Sequence, residues 1–383
     1  MRFVHTSDLH LGKRLHEYSL IDDQSFILGQ IADIVKREKA DALMISGDIY
    51  DTGVPCIDAV NLFSDFVTEL NNAGCPIYAI AGNHDSAERL SFARGILSDM
   101  KLYISAPFSG TMEKYTVKDA YGDLNIWMLP FIKPSMVRSR YPNEKIDTPD
   151  DAFGTVLSNS GVNGKERNVL LSHEFFIHGK TAPETGGSED FIPAVGGADC
   201  ISSDLLKDFD YVALGHIHRA QQVGRDTVRY SGSPLKYSES ECYYGKSVAV
   251  VDVNEKGNVS VKIVPLIPER DLRTIQGTEA ELMEAGKRSE EDPDDYVYIK
   301  LTEDAPDARR RLGTVYPNIL AVEIMRPEDA GGDLPAVSMS DLKDIDPLSL
   351  FEDLFRTMNG KEMTEAQKKI FREAENYAKG VSE

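Results

Sequence analysis

The sequence predicts an α/β fold: two packed sheets flanked by helices, then a small α+β module and a helical tail. Three observations carry this. Short strand-like runs at 3–7, 42–45 and 76–80 alternate with amphipathic stretches at 22–38 and 57–71, the order of parallel strands joined by right-handed crossovers. Later runs are shorter and less regularly separated by helices, which suggests a second sheet of mixed pairing packed on the first. Near Pro265–Pro268 the character changes again.

In order, strand 3–7 leads to Asp8-Leu9-His10-Leu11-Gly12. Ile21, Phe26, Ile27, Ile31, Ile34 and Val35 recur at helical spacing. Ala42–Ile45 is an apolar run that stops at Ser46-Gly47, so Asp48 falls just past the carboxyl end of a buried strand. In open α/β sheets ligands bind there. Val60, Phe63, Phe66, Val67 and Leu70 mark a second helix that Gly74 stops. Pro76–Ile80 is the third strand and ends at Gly82-Asn83-His84-Asp85. A further helix is expected near 87–99. Second-sheet strands are expected at 115–117, 125–129, 169–171, 211–214, 228–230 and 247–253, with loop and one helix across 135–167 and a glycine-rich surface loop at 174–200.

The later module reads as strands at 272–275, 296–301 and 319–324 with helices at 279–287 and 307–315; its acidic run at 290–295 reads as a solvated loop. Gly331-Gly332 and Pro335 read as a linker. Asp346-Pro347 and Thr364-Glu365-Ala366-Gln367 then open two short helices. The expected domains are 1–265, 266–332, a linker at 333–340 and a two-helix tail at 341–383.

Composition bounds the function. The chain has 383 residues, 41% hydrophobic and 27% charged, ordinary for a globular protein of two or three domains. Four scattered cysteines argue against a disulfide framework or thiolate zinc site. With no signal peptide and no membrane-length apolar run, a cytoplasmic location is expected. Net charge is −21, from 42 basic and 63 acidic residues. That disfavours a general nucleic-acid coat protein, but not nucleic acid held at a cation-loaded site.

The chemistry collects at strand ends: Asp8 and His10; Asp48 and Asp51; Asn83, His84 and Asp85; His173; His216 and His218. Five of the eight histidines lie there. Alternate residues of an extended segment point the same way, so Asp8 and His10 can reach one cation. Asp48, with two oxygens, can bridge two. Imidazole, carboxylate and amide donors together suit Mn²⁺, Fe or Zn²⁺ better than Mg²⁺. Two such ions can clamp a phosphate and activate a water. The sequence contains neither a G-x-x-x-x-G-K-[ST] phosphate cradle nor a G-x-S-x-G elbow.

These five motifs resemble those of the calcineurin-like metallophosphoesterases. Tyr211–Gln221, Arg229–Tyr237 and Lys246–Val248 narrow the resemblance to the nuclease subunits of bacterial double-strand-break repair complexes. At Glu239 the chain departs from that pattern, which has an aromatic there. The resemblance implies a two-sheet metallophosphoesterase sandwich with a small DNA-binding capping domain. It also implies two divalent ions, Mn²⁺ foremost. One would be held by Asp8, His10, Asp48 and His218, the other by Asp48, Asn83, His173 and His216. His84, oriented by Asp85, would donate a proton or stabilise charge at the scissile phosphate, and Asp51 would stand behind the ligands. Lys13, Arg14, Arg89 and Lys133 lie near these loops as candidate DNA contacts. The implied activity is exonuclease on duplex ends and endonuclease on single strands, beside an ATPase partner. Phe351, Leu354, Phe355, Ile370 and Phe371 of the tail would dock on that partner's coiled coil. Leu62, Phe66, Leu90, Phe92 and Ile96, on helices within 57–99, could form a homodimer face. On the residues alone two other readings stay open: a phosphomonoesterase or small-molecule phosphodiesterase on the same scaffold, and a non-catalytic scaffold.

Overall fold

The structure, a computed structural model, describes residues 1–185, 200–288, 294–325, 348–349, 351–352, 355–356 and 361–378. One sheet runs in the order Val259–Leu266, Lys246–Val253, Arg2–Thr6, Ala42–Ser46, Ile77–Ile80, Leu102–Ile104. The last four are mutually parallel. The other sheet runs Gln221–Val223, Arg225–Tyr230, Tyr211–Leu214, Arg167–Ser172, Gly122–Leu129, Glu113–Asp119, with the middle four parallel and both edges antiparallel.

Alternation along the strands sorts the side chains into layers. Ala42 and Met44 face the other sheet and pack with Ile126, Leu171 and Ala213. Leu43 and Ile45, one residue out of phase, pack under Ile31, Val35, Phe63 and Phe66 of helices Ile21–Arg37 and Ile57–Asn72. Leu170, Val212 and Leu214 face the opposite way, onto Val137, Phe153 and Val156. The result is helix, sheet, sheet, helix. Each fully buried apolar side chain contributes on the order of 1.5–3 kcal/mol. Because the parallel strands of both sheets end at one rim, every strand-end motif converges there.

Several elements differ from the sequence reading. The expected helix near 87–99 is two short ones, Ala87–Leu90 and Arg94–Asp99, broken where Ala93 adopts φ 57°. Phe92 and Ile96 are exposed, whereas Phe66 and Leu90 are buried. Segment 135–167 holds two helices, Pro134–Arg140 and Pro149–Asn159. Three further strands of these two sheets, Leu102–Ile104, Gln221–Val223 and Val259–Leu266, were not expected from the sequence, and Lys246–Val253, expected in the second sheet, instead pairs antiparallel with Arg2–Thr6 in the first.

Met1–Ile324 forms one compact unit and Met325–Glu383 another. Within the first, three parallel strands, Leu272–Gly277, Tyr296–Leu301 and Asn318–Ile324, carry helices Glu279–Lys287 and Ala308–Leu312 over a small core of Leu282, Val297, Ile299, Leu312 and Tyr316. Ion pairs fasten this cap to the sandwich: Arg270 to Asp23 at 2.7 Å, Lys236 to Asp271 at 2.8 Å, and Lys300 to Glu239 at 2.7 Å. Glu239, carboxylate in place of aromatic, thus has a partner on the cap. Asp295, expected in solvent, is buried and pairs with Arg273 at 2.7 Å.

In the second unit, helix Glu365–Ala378 opens on the expected capping box, Thr364 N donating to Gln367 Oε1 at 2.9 Å. Phe351 and Phe371 stack at 4.6 Å, and Ile370 is exposed. The linker 333–340 and Leu354 lie outside the described residues, as do 186–199 of the glycine-rich loop and 290–293 of the acidic run. No helix among the described residues is long and apolar enough to cross a membrane.

Candidate metal centre

The rim is built by tight backbone turns. Asp8, His10, Asp48 and His216 all have positive φ, at 53°, 43°, 49° and 90°, four of the nine such non-glycine residues in the described chain. Non-glycine residues seldom adopt that region, and where they do the surroundings hold them there. Here Asp8 N donates to Gly47 O at 3.0 Å and His10 N to Asp48 O at 2.9 Å. Glycines allow the loops to close. A Cβ at Gly82 would strike the Asp48 carboxylate and backbone nitrogen, and one at Gly215 the Ser46 carbonyl and His173 ring.

Three groups of donors converge: Asp8, His10 and His218; His10, Asp48 and His84; and Asp8, Asp48 and His173. Within each, the donor atoms lie within 4.8 Å of one another. Asp8, His10, Asp48, His173 and His218 are almost fully buried. His10 and His218 bring their Nε2 atoms to 3.1 Å. His173 Nε2 lies 3.1 Å from both Asp48 Oδ2 and Asn83 Oδ1, and His216 Nδ1 lies 3.0 Å from Asn83 Oδ1.

The rings are aimed from behind. His173 Nδ1 lies 2.6 Å from the Ser46 carbonyl. A carbonyl only accepts, so Nδ1 carries a hydrogen and Nε2 is the nitrogen that faces the centre. His218 Nδ1 lies 3.2 Å from Glu241 Oε1, and His10 Nδ1 lies 3.4 Å from Asp51 Oδ1. Carboxylates behind metal-binding imidazoles fix their orientation and raise their basicity. Asp51 is itself paired with Lys13 at 2.9 Å.

Electrostatics points the same way. Burial pulls the His173 imidazole down, but the charges of Asp48 and Asp8 outweigh it and hold it up at about 10. Burial, with the positive charge on His173, pushes His216 down to about 3. Burial opposes ionisation of Asp48, yet His173 and its neighbours keep its carboxyl well below the usual range. The two carboxylates therefore call for compensating positive charge in a pocket whose remaining donors are imidazoles and an amide. That donor set fits divalent ions of the first transition row.

His84 and Asp85 part company here. His84 N donates to Asp48 Oδ1 at 2.9 Å, and its ring is aimed by Nδ1, 3.0 Å from the Asp51 carbonyl. Asp85, expected to orient that ring, instead turns its carboxylate to three backbone N–H groups. It accepts from Ile49, Tyr50 and Gly82 at 3.1, 2.9 and 3.0 Å. It ties two loops together, and burial beside Asp48 pushes its carboxyl up to about 6.

Of the four basic residues named from sequence, Lys13 pairs with Asp51, Arg14 bonds the Glu17 carbonyl, and Arg89, in the short helix Ala87–Leu90, and Lys133, the N-cap of Pro134–Arg140, are exposed. The sequence reading missed Glu241, Ser46 and Phe131. Phe131 N donates to Ala81 O at 2.9 Å, and its ring stacks on His216 with centroids 6.4 Å apart. Nothing local marks any of the three as part of a site.

The two-sheet sandwich with a polar rim is a phosphoesterase architecture, and the chain belongs to the calcineurin-like phosphoesterase family, whose model matches residues 1–220. The expected metallophosphoesterase sandwich is thereby borne out. Residues 268–359 match the model described as the type 5 capsule protein repressor C-terminal domain. More particularly, the chain is 29% identical over 372 residues to the SbcD subunit of the SbcCD nuclease of Staphylococcus epidermidis, covering 96% of each. Two solved structures resemble it weakly. A dimetal phosphatase from Danio rerio has a TM-score of 0.40 at 13% identity, over 69% of this chain and 95% of that one. A Thermus thermophilus protein has a TM-score of 0.37 at 10% identity, over 68% and 98%.

Proposed function

We propose that this chain is a dinuclear-metal DNA phosphodiesterase, a double-strand exonuclease and single-strand endonuclease acting with an SbcC-type ATPase in DNA break and hairpin processing. One observation carries the reading: donors from five strand ends of two sheets meet at one rim, in a chain that aligns along 96% of its length with a protein named as a nuclease subunit.

Asp8, His10, Asp48 and His218 would hold one divalent ion, and Asp48, Asn83, His173 and His216 the other, with Mn²⁺ the favoured metal. Such a pair supplies Lewis acidity at a phosphate and lowers the pKa of a water nucleophile. The protein's own groups do the rest. His84 keeps Nδ1–H on the Asp51 carbonyl, so a proton on Nε2 can pass to the oxygen leaving the scissile phosphate. Asp85 locks the two loops that set the spacing of Asp48 and Asn83. Phe131 covers one side of His216. Lys13, Arg14, Arg89 and Lys133 orient the DNA backbone by charge, with further contacts from the cap. Phe351, Leu354, Phe355, Ile370 and Phe371 dock the tail on the coiled coil of the ATPase, and the exposed Phe92 and Ile96 contribute to a homodimer face within 57–99.

The test is digestion of end-labelled duplex and hairpin DNA with Mn²⁺, with and without the SbcC-type partner. Metal-dependent cleavage of DNA that the partner and ATP extend to hairpins is expected; failure to cut any DNA in either condition would overturn the proposal.

A further inference from the structure

We propose that Glu241 is a positioning residue that sets the affinity of one ion site selectively, the one built on Asp8, His10 and His218. This rests on the reading of the rim as a metal centre. Glu241 is fully buried, 23 residues beyond His218 in the chain. Its Oε1 lies 3.2 Å from His218 Nδ1, while Oε2 accepts from Lys246 Nζ and lies 3.3 Å from Ser233 Oγ. Lys246, also buried, donates to the His218 carbonyl at 3.0 Å and to Ser233 Oγ at 2.7 Å. One buried ion pair thus grips His218 twice, the ring through its carboxylate and the backbone through its ammonium.

A buried ion pair is weak evidence for stability, since well-packed apolar residues often serve as well. Aim is what this pair adds. A full negative charge behind Nδ1 holds its hydrogen, turns Nε2 toward His10 and raises the basicity of that nitrogen. His173, on the other side of the centre, is backed by the neutral Ser46 carbonyl. Loss of Glu241 should therefore be felt mainly on the His10–His218 side. The brace has its own support. It sits on the short helix Glu239–Tyr243, which the cap grips through Lys300 on Glu239 at 2.7 Å, and Lys236 Nζ reaches Cys242 O at 3.3 Å.

The experiment uses the full chain, stripped of metal and titrated with Mn²⁺ alone by calorimetry, with bound metal counted by elemental analysis. Glu241→Gln leaves Lys246 without its counter-charge and could fail to fold, so Glu241→Gln with Lys246→Met, which removes the pair together, is made alongside it. The wild-type chain should bind two ions. Either folded variant should keep one with unchanged affinity and bind the other about 10–100-fold more weakly, while the metal-free melting temperature of the double variant stays near wild type. Two ions at wild-type affinity, or equal weakening of both, would overturn the brace. A wild-type chain that binds no Mn²⁺ would instead overturn the metal reading of the whole centre, and is recognised before any variant is made.

Discussion

His10 and His218, from loops of different sheets, meet with Nε2 atoms 3.1 Å apart. Each ring turns Nδ1 toward a carboxylate, Asp51 or Glu241. Two imidazoles held this way, with their forward nitrogens together, are arranged for a shared cation.

Asp48 reaches His173 with Oδ2 at 3.1 Å and His10 with the same oxygen at 3.6 Å, so it lies between the two halves of the centre. Asp48→Ala should lose both ions rather than one. Elemental analysis of the folded variant checks this, and two tightly retained ions would refute the bridging role.

His84 is anchored by backbone to Asp48 and by Nδ1 to the Asp51 carbonyl. His84→Ala should keep its metal but lose DNA cleavage by roughly 10²-fold or more, the usual worth of a general acid or charge stabiliser. Metal content measured beside cleavage rates separates this from loss of the centre.

Gly82→Ala would push a methyl group into the Asp48 carboxylate and backbone. Overpacking of this kind costs on the order of 1–3 kcal/mol, and the displaced carboxylate should also release metal. A lower melting temperature together with less bound Mn²⁺ is expected; metal content equal to wild type would show that the loop can yield.

Truncation after Val337 should leave Mn²⁺-dependent cleavage of single strands and abolish co-purification with the SbcC-type partner. Size exclusion decides it: a stable complex of the truncated chain would place the contact elsewhere.

Much of the fold could be read because its signals are local. Ala42–Ser46 is a run of buried residues closed by Gly47-Asp48, and the same pattern recurs at Asn83 and His216. What stayed hidden depends on distant partners or on position. Val259–Leu266 contains Pro265, which reads as a break, yet it forms an edge strand, where a proline is tolerated. Leu102–Ile104 is too short to show a period. The break falls on Ala93 rather than on Gly95 two residues later, so no glycine or proline stands at the turn itself. Glu241 looks like any surface glutamate until the fold brings His218 to it. Asp85 lies beside His84 in sequence, which suggested a partnership, but its carboxylate turns to backbone donors, two of them on another loop.

The most direct measurement compares two substrates on one preparation: end-labelled duplex DNA and a nitrophenyl phosphate monoester, each with Mn²⁺, with chelator, and with the Asp48→Ala variant. DNA degradation that needs Mn²⁺ and disappears with chelator or with loss of Asp48 is expected. Rapid Mn²⁺-dependent hydrolysis of the monoester with intact DNA would contradict it and make the chain a phosphatase on the same scaffold.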